Sequence, residues 1–113
     1  MAETYWITFT IGEHGNSSGR HQALLAAVRR VTSDIWWAEA SNFLMFHSER
    51  DIDEVAAAVD RAINEDTDLA LLAKLNAQEA IAIGEIEDGL LFELMPFARR
   101  FHAGHVGAQP SGG

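Results

Sequence analysis

Hydrophobic periodicity switches along this chain in a fixed order, and that order restricts the folds open to it more than any single residue does. From Tyr5 to Ile11, the residues Tyr5, Ile7, Phe9 and Ile11 alternate with Trp6, Thr8 and Thr10. A period of two in β-branched and aromatic side chains predicts a first strand. Gly12 to Gly19 holds three glycines and three small polar residues and reads as a loop. Between Arg20 and Ser33 the period lengthens: Leu24, Val28 and Val31, with Leu25 and Ala27 beside them, recur at helical spacing. Two short apolar runs, Asp34 to Ala40 and Asn42 to His47, are separated by the turn-tolerant Ser41 and Asn42 and predict a hairpin. Ser48 or Asp51 can then cap a second helix with the stripe Ile52, Val55, Ala56, Val59 and Ile63. Alternation returns in Leu69 to Leu75, and Ala80 to Ile86 reads as a fifth strand. Leu90, Leu91, Leu94 and Met95 resume helical spacing, as do Phe97 and Phe101, with Pro96 kinking or breaking the middle, so a short helix or two is expected.

The resulting order, β-α-β-β-α-β, predicts an α+β protein with a ferredoxin-like antiparallel sheet and both helices on one face. A fifth strand and a short C-terminal helical segment are added to that frame. A length of 113 residues fits one domain, assigned to residues 1–103. Residues 104–113, with the glycine-rich ending Gly-Ala-Gln-Pro-Ser-Gly-Gly, are expected to form a disordered tail.

Helices on one face leave the other bare. The third strand is apolar on both sides, Phe43 and Met45 against Leu44 and Phe46, so something must cover the second face. Trp6, Trp36, Leu44 and Phe46 are assigned to it as the partner-facing set. An apolar patch of several hundred square ångströms, roughly, marks an interface. The expected cover is a second copy in a two-fold homodimer, with the fifth strand and Leu90 to Phe101 contributing; the alternative is that the C-terminal segment folds back over it.

Charge narrows the partners. Seventeen acidic against eight basic side chains give a formal charge of -9, which opposes phosphate backbones and anionic lipid, so general nucleic-acid binding and membrane association are not expected. The chain has no cysteine, which removes disulfides, thiolate metal sites and cysteine nucleophiles. No secretory pattern opens the sequence and no apolar run reaches membrane-spanning length, so a cytoplasmic location is expected.

The run Tyr5-Trp6-Ile7-Thr8-Phe9-Thr10-Ile11, the Ile35-Trp36-Trp37 opening of the second strand and the stretch from Asp66 to Leu75 together resemble small bacterial proteins of the SinR family. Those in turn look like relatives of the Cas-two subunit of CRISPR adaptation. The resemblance covers about residues 5–86 and implies a dimeric ferredoxin-like fold whose fifth strand pairs across the dimer. In some members it also implies metal-dependent nuclease chemistry, carried by an aspartate at the end of the first strand. The matching position here is Thr10, and no aspartate precedes Asp34. A hard divalent cation needs carboxylate oxygens at that place, so the activity does not carry over.

Other chemistry-bearing residues are few. Glu13 and His14, with His21 nearby, are the alternative catalytic pair, set against the plainer reading of a solvated loop. His102 and His105 have ligand-like spacing but no carboxylate to complete a shell. His47 reads as an edge residue. Seven acids lie between Asp51 and Asp68 and suit a solvated helix face. Arg20, Arg29 and Arg30 form a small basic group, the latter two in a helix's last turn where cations meet the dipole favourably. Arg99 and Arg100 form a second pair. The Gly12–Gly19 loop lacks the endings of a phosphate loop. No cofactor or metal site is expected. The functional expectation is a non-catalytic, dimeric, Cas-two-like binding or regulatory protein in a defence or toxin–antitoxin setting. The alternatives are a divergent metal-dependent nuclease using Glu13 and His14, and an acidic inhibitor of a nucleic-acid-binding protein.

Overall fold

A computed structural model describes residues 2–101. Nine elements follow in order: β1 (Glu3–Thr10), α1 (Ser17–Val31), β2 (Trp36–Trp37), β3 (Phe43–Ser48), α2 (Ile52–Ala62), β4 (Leu69–Lys74), β5 (Ala80–Gly84), α3 (Leu90–Leu94) and β6 (Ala98–Arg100). They form one six-stranded sheet in the order β2-β3-β1-β4-β5-β6. Every pairing is antiparallel except β5 with β6, so the sheet is mixed and has one strand more than the periodicity predicts. The anticipated tail, residues 104–113, lies outside the described residues.

The first helix begins earlier than its apolar stripe suggests. The Asn16 side chain accepts a hydrogen bond from the Gly19 amide at 2.9 Å, which draws Ser17 to Gly19 out of the expected loop and into the first turn. At α2 the cap is Asp51, reciprocated by Glu54 in a capping box. The hairpin runs differ too. Only Trp36 and Trp37 pair with β3, and Asn42 turns the chain with φ of 55°, a conformation asparagine tolerates.

The register of β1 against its neighbours decides what each face carries. Tyr5, Ile7 and Phe9 are buried and point at the helices. Tyr5 is level with Phe46, and Ile7 with Leu44 and Leu72, and the buried Ile81 of β5 follows on the same side. Leu24 and Val28 of α1 and Ile52, Val55 and Val59 of α2 close over them as one core. Fully burying each such side chain contributes about 1.5–3 kcal/mol. Leu44 and Phe46 are therefore core residues, which corrects their assignment to the partner-facing side. Trp36 is corrected with them: paired with Phe46, it packs against the core, and the Arg29 guanidinium lies 4.6 Å from its ring. Of the four, Trp6 alone stands on the face the helices leave open.

β6 corrects the helical reading of Phe97 to Phe101: Ala98 to Arg100 lie extended and parallel to β5, and their residues carry no apolar alternation to mark a strand. Arg99 turns to the helix side and pairs with Asp53 of α2 at 3.1 Å, Arg100 turns to the open side, and the Phe101 amide donates to the Ala82 carbonyl at 2.9 Å. Phe101 enters the core.

Candidate functional site

Two places merit functional scrutiny, the end of β1 and the open face of the sheet. At the end of β1, Thr10 is exposed, and so are Glu13 and His14 beyond it. The Glu13 and His14 side chains make no hydrogen bond among the described residues; only the His14 carbonyl is used, accepting from Arg20 Nη1 at 2.7 Å. Glu13 lines a shallow recess of about 230 Å³ with Ser17, Ser18, His21 and Asn42. His21 also borders an apolar crevice of about 270 Å³ between α1 and the β2–β3 turn, its ring 5.7 Å from that of Phe9.

The one carboxylate held at this end of the sheet comes from β4's entrance. Asp68 is buried and accepts from the amides of Gly12 and Asn64, each at 2.8 Å, from Arg20 Nε at 2.8 Å and from Thr67 Oγ1 at 3.0 Å. Burial alone would raise its affinity for a proton; the hydrogen bonds from Arg20, Asn64, Gly12 and Thr67 outweigh it and hold the carboxyl below the usual range. With its lone pairs committed, Asp68 ties the β1–α1 loop to the α2–β4 turn and has none to offer a cation. Gly12 is fixed by the same closeness, since a Cβ there would collide with the Thr67 carbonyl. Among the described residues no three His, Asp or Glu side chains gather as a metal-ligand set. His102 and His105 lie outside the described residues.

The acids of the second helix also have internal partners. Asp51 and Glu54 form the capping box, Asp53 holds Arg99, and Asp60 faces Glu65. Burial, with Glu65 beside it, pushes the Asp60 carboxyl up to about 7, and one of its oxygens has no hydrogen-bond partner. Its proton affinity in the fold exceeds that of an unfolded carboxylate near 4 or so, so its stabilising contribution is present below about pH 4 and lost as pH rises towards about 7. Asp60→Asn is accordingly expected to raise the urea midpoint at pH 8 and to change it little at pH 4. Equal shifts at both pH values would refute the role.

The open face is of a different character. Trp6 stacks on Phe43 with ring centroids 6.1 Å apart, and Trp37 meets the same Phe43 ring edge-on, also at 6.1 Å. Met45 lies between them in register with both tryptophans. Trp37 and Met45, with Ile35, which is 60% exposed, border a cavity of about 300 Å³ at the β2 edge that also takes in Thr4, His47, Trp36 and Phe46. His47 Nδ1 lies 3.1 Å from Asp34, whose carboxyl is held low chiefly by the Ile35 amide. The other half of this face carries Leu71 together with Ala73, Ala80 and Ala82, the three alanines buried. There α3 lies across it, with the Phe92 ring 5.0 Å from the guanidinium of Arg100, which is level with Ala82. Among the described residues, the C-terminal segment thus covers the alanine half and not the aromatic half. A chain with seventeen acids places none of them among the strand residues of this face.

Periodicity locates Trp6 but not Trp37, Phe43 and Met45 as its companions, because the third strand is apolar at every position from Phe43 to Phe46. No family model, curated protein or solved structure matches the chain.

Proposed function

We propose that this protein is a non-catalytic binding or regulatory protein that acts as a homodimer closed over the bare aromatic half of its sheet. The observation that carries this reading is the contiguous set Trp6, Trp37, Phe43 and Met45, which no helix among the described residues covers and which has no acidic strand residue beside it in an otherwise acidic chain. Two further features support a ferredoxin-like frame of the SinR or Cas-two-like kind. The first six elements follow the split β-α-β order, and β2-β3-β1-β4 lie side by side with α1 and α2 on one face. Thr10 in place of an aspartate and the engaged state of Asp68 favour binding over nuclease chemistry. A cytoplasmic, defence-related or toxin–antitoxin setting rests on the resemblance alone. No helix among the described residues is long and apolar enough to cross a membrane.

Light scattering over a dilution series is expected to return twice the chain mass, and Trp6→Glu to return one chain mass with an unchanged circular dichroism spectrum. A wild-type chain that stays single at every concentration overturns the dimer. Incubation with RNA or DNA and magnesium or manganese is expected to leave the nucleic acid intact; metal-dependent cleavage abolished by Glu13→Ala would establish the nuclease alternative.

A further inference from the structure

The two halves of the open face are unlike in a way that constrains how a second copy can sit. One half, on β2, β3 and β1, bears large side chains and has no cover among the described residues. The other, on β4, β5 and β6, bears Leu71 and three alanines beside the α3 ridge. That ridge is itself unfinished: Leu90 is 57% exposed, Leu94 is 85% exposed and Phe97 is 37% exposed. Stacked sheets need a layer of side chains about 10 Å thick between them. Two bare halves laid together would leave the two ridges colliding or hanging free. A two-fold axis parallel to β1 avoids both, because it sets β2 and β3 of each copy opposite β6 and β5 of the other and so brings each ridge over a bare half.

The same operation aligns charge. Arg100 is exposed, turns to the open side and is level with Ala82, which is level with Leu71, then Thr8, then Phe43. Trp37 is level with Met45, the pair next to Phe43, and Glu39 lies two residues beyond it towards that level. The Glu39 carboxylate accepts from Trp37 Nε1 at 3.2 Å, which puts it on the open side at the β2 edge. A rotation about an axis along the strands preserves level, so Arg100 at one edge meets Glu39 at the other. Resting on the dimer reading above, we infer that each copy seats the Leu90–Leu94 ridge of α3 on the bare aromatic half of the other, with Arg100 facing the second copy's Glu39 at both ends. Aromatic side chains on a bare sheet also stack nucleobases, but this face offers no lysine and only Arg100 to neutralise phosphates, against a net charge of -9.

Three variants test the arrangement by sedimentation equilibrium. Leu94→Asp, at a site too exposed to affect folding, is expected to weaken dimerisation at least about tenfold. Glu39→Arg and Arg100→Glu each place like charges together and are expected to weaken it by a similar factor, about tenfold, while the double exchange recovers most of the loss. A dimer indifferent to these substitutions, or a double exchange no better than the singles, overturns the arrangement and leaves the dimer reading standing. A wild-type chain that never dimerises removes both. A single-stranded uridine oligonucleotide that quenches tryptophan fluorescence and binds one chain in place of the second copy also overturns it.

Discussion

Phe46→Ala is expected to lower the unfolding free energy by about 3–5 kcal/mol, a large share of the 5–15 kcal/mol or so that holds a domain together. The ring is 1% exposed and stacks on Tyr5 with centroids 5.6 Å apart and planes 19° from parallel. Truncation removes that contact and leaves a void in the core against β1, whose backbone is held between β3 and β4 and relaxes little. Tyr5 cannot swing in, because its hydroxyl donates to the Arg50 carbonyl at 2.7 Å and anchors the β3–α2 connection. Loss of affinity for a second copy should follow only from loss of folding. Trp6→Ala provides the contrast, since its ring stands on the opposite face: it should cost the isolated fold much less and the dimer much more. Denaturant titration of both variants, with light scattering on the folded fraction, separates the two. A Phe46→Ala chain as stable as wild type would mean that β3 presents its other face to the helices.

That substitution also marks the point where the sequence stopped being informative. The existence and order of the first five strands and first two helices are legible in the sequence, because β1, β4 and both helices each keep one period and the β2–β3 hairpin is marked by two apolar runs around the turn-tolerant Ser41 and Asn42. Which face of β3 is inward does not. Leu44 and Phe46 are no more apolar than Phe43 and Met45, and a strand greasy on both sides carries no alternation to orient it. Its orientation is set by register against β1, a partner distant in sequence, and a slip of one residue exchanges the faces. β6 was illegible for a related reason. Two adjacent arginines read as solvated, yet one is used on each side of the strand, against Asp53 and over Phe92. Asp68 likewise resembled its acidic neighbours until the β1–α1 loop was placed beside it. The trace it left in the sequence was indirect: Gly12 and Gly84, remote from each other, are both required because the backbones of Thr67 and Asp68 pass too near for a Cβ.

Arg20→Ala is expected to be as damaging as the core truncation, at about 3–5 kcal/mol near neutral pH, because it strands a buried carboxylate. The Arg20 guanidinium supplies Nε to Asp68 at 2.8 Å and a second contact at 3.3 Å, and it also donates to the Gly12 carbonyl at 2.8 Å. Its loss therefore loosens the β1–α1 loop as well as the charge. The pH dependence distinguishes this from ordinary loss of packing. In the wild type the Asp68 carboxyl is held below its unfolded value, so its contribution is complete above about pH 4 and is lost as pH falls through the lower folded value. Without Arg20, only the Asn64, Gly12 and Thr67 hydrogen bonds oppose burial, and the folded proton affinity of Asp68 rises. The variant then loses less stability on acidification than the wild type, and the difference between them should shrink as pH falls below about 4. Asp68→Asn, which keeps the shape and removes the charge, should cost less than Arg20→Ala at pH 7 and show no such convergence. Parallel wild-type and Arg20→Ala curves across this range would mean that Arg20 acts through its stem and its loop contacts rather than through the carboxylate.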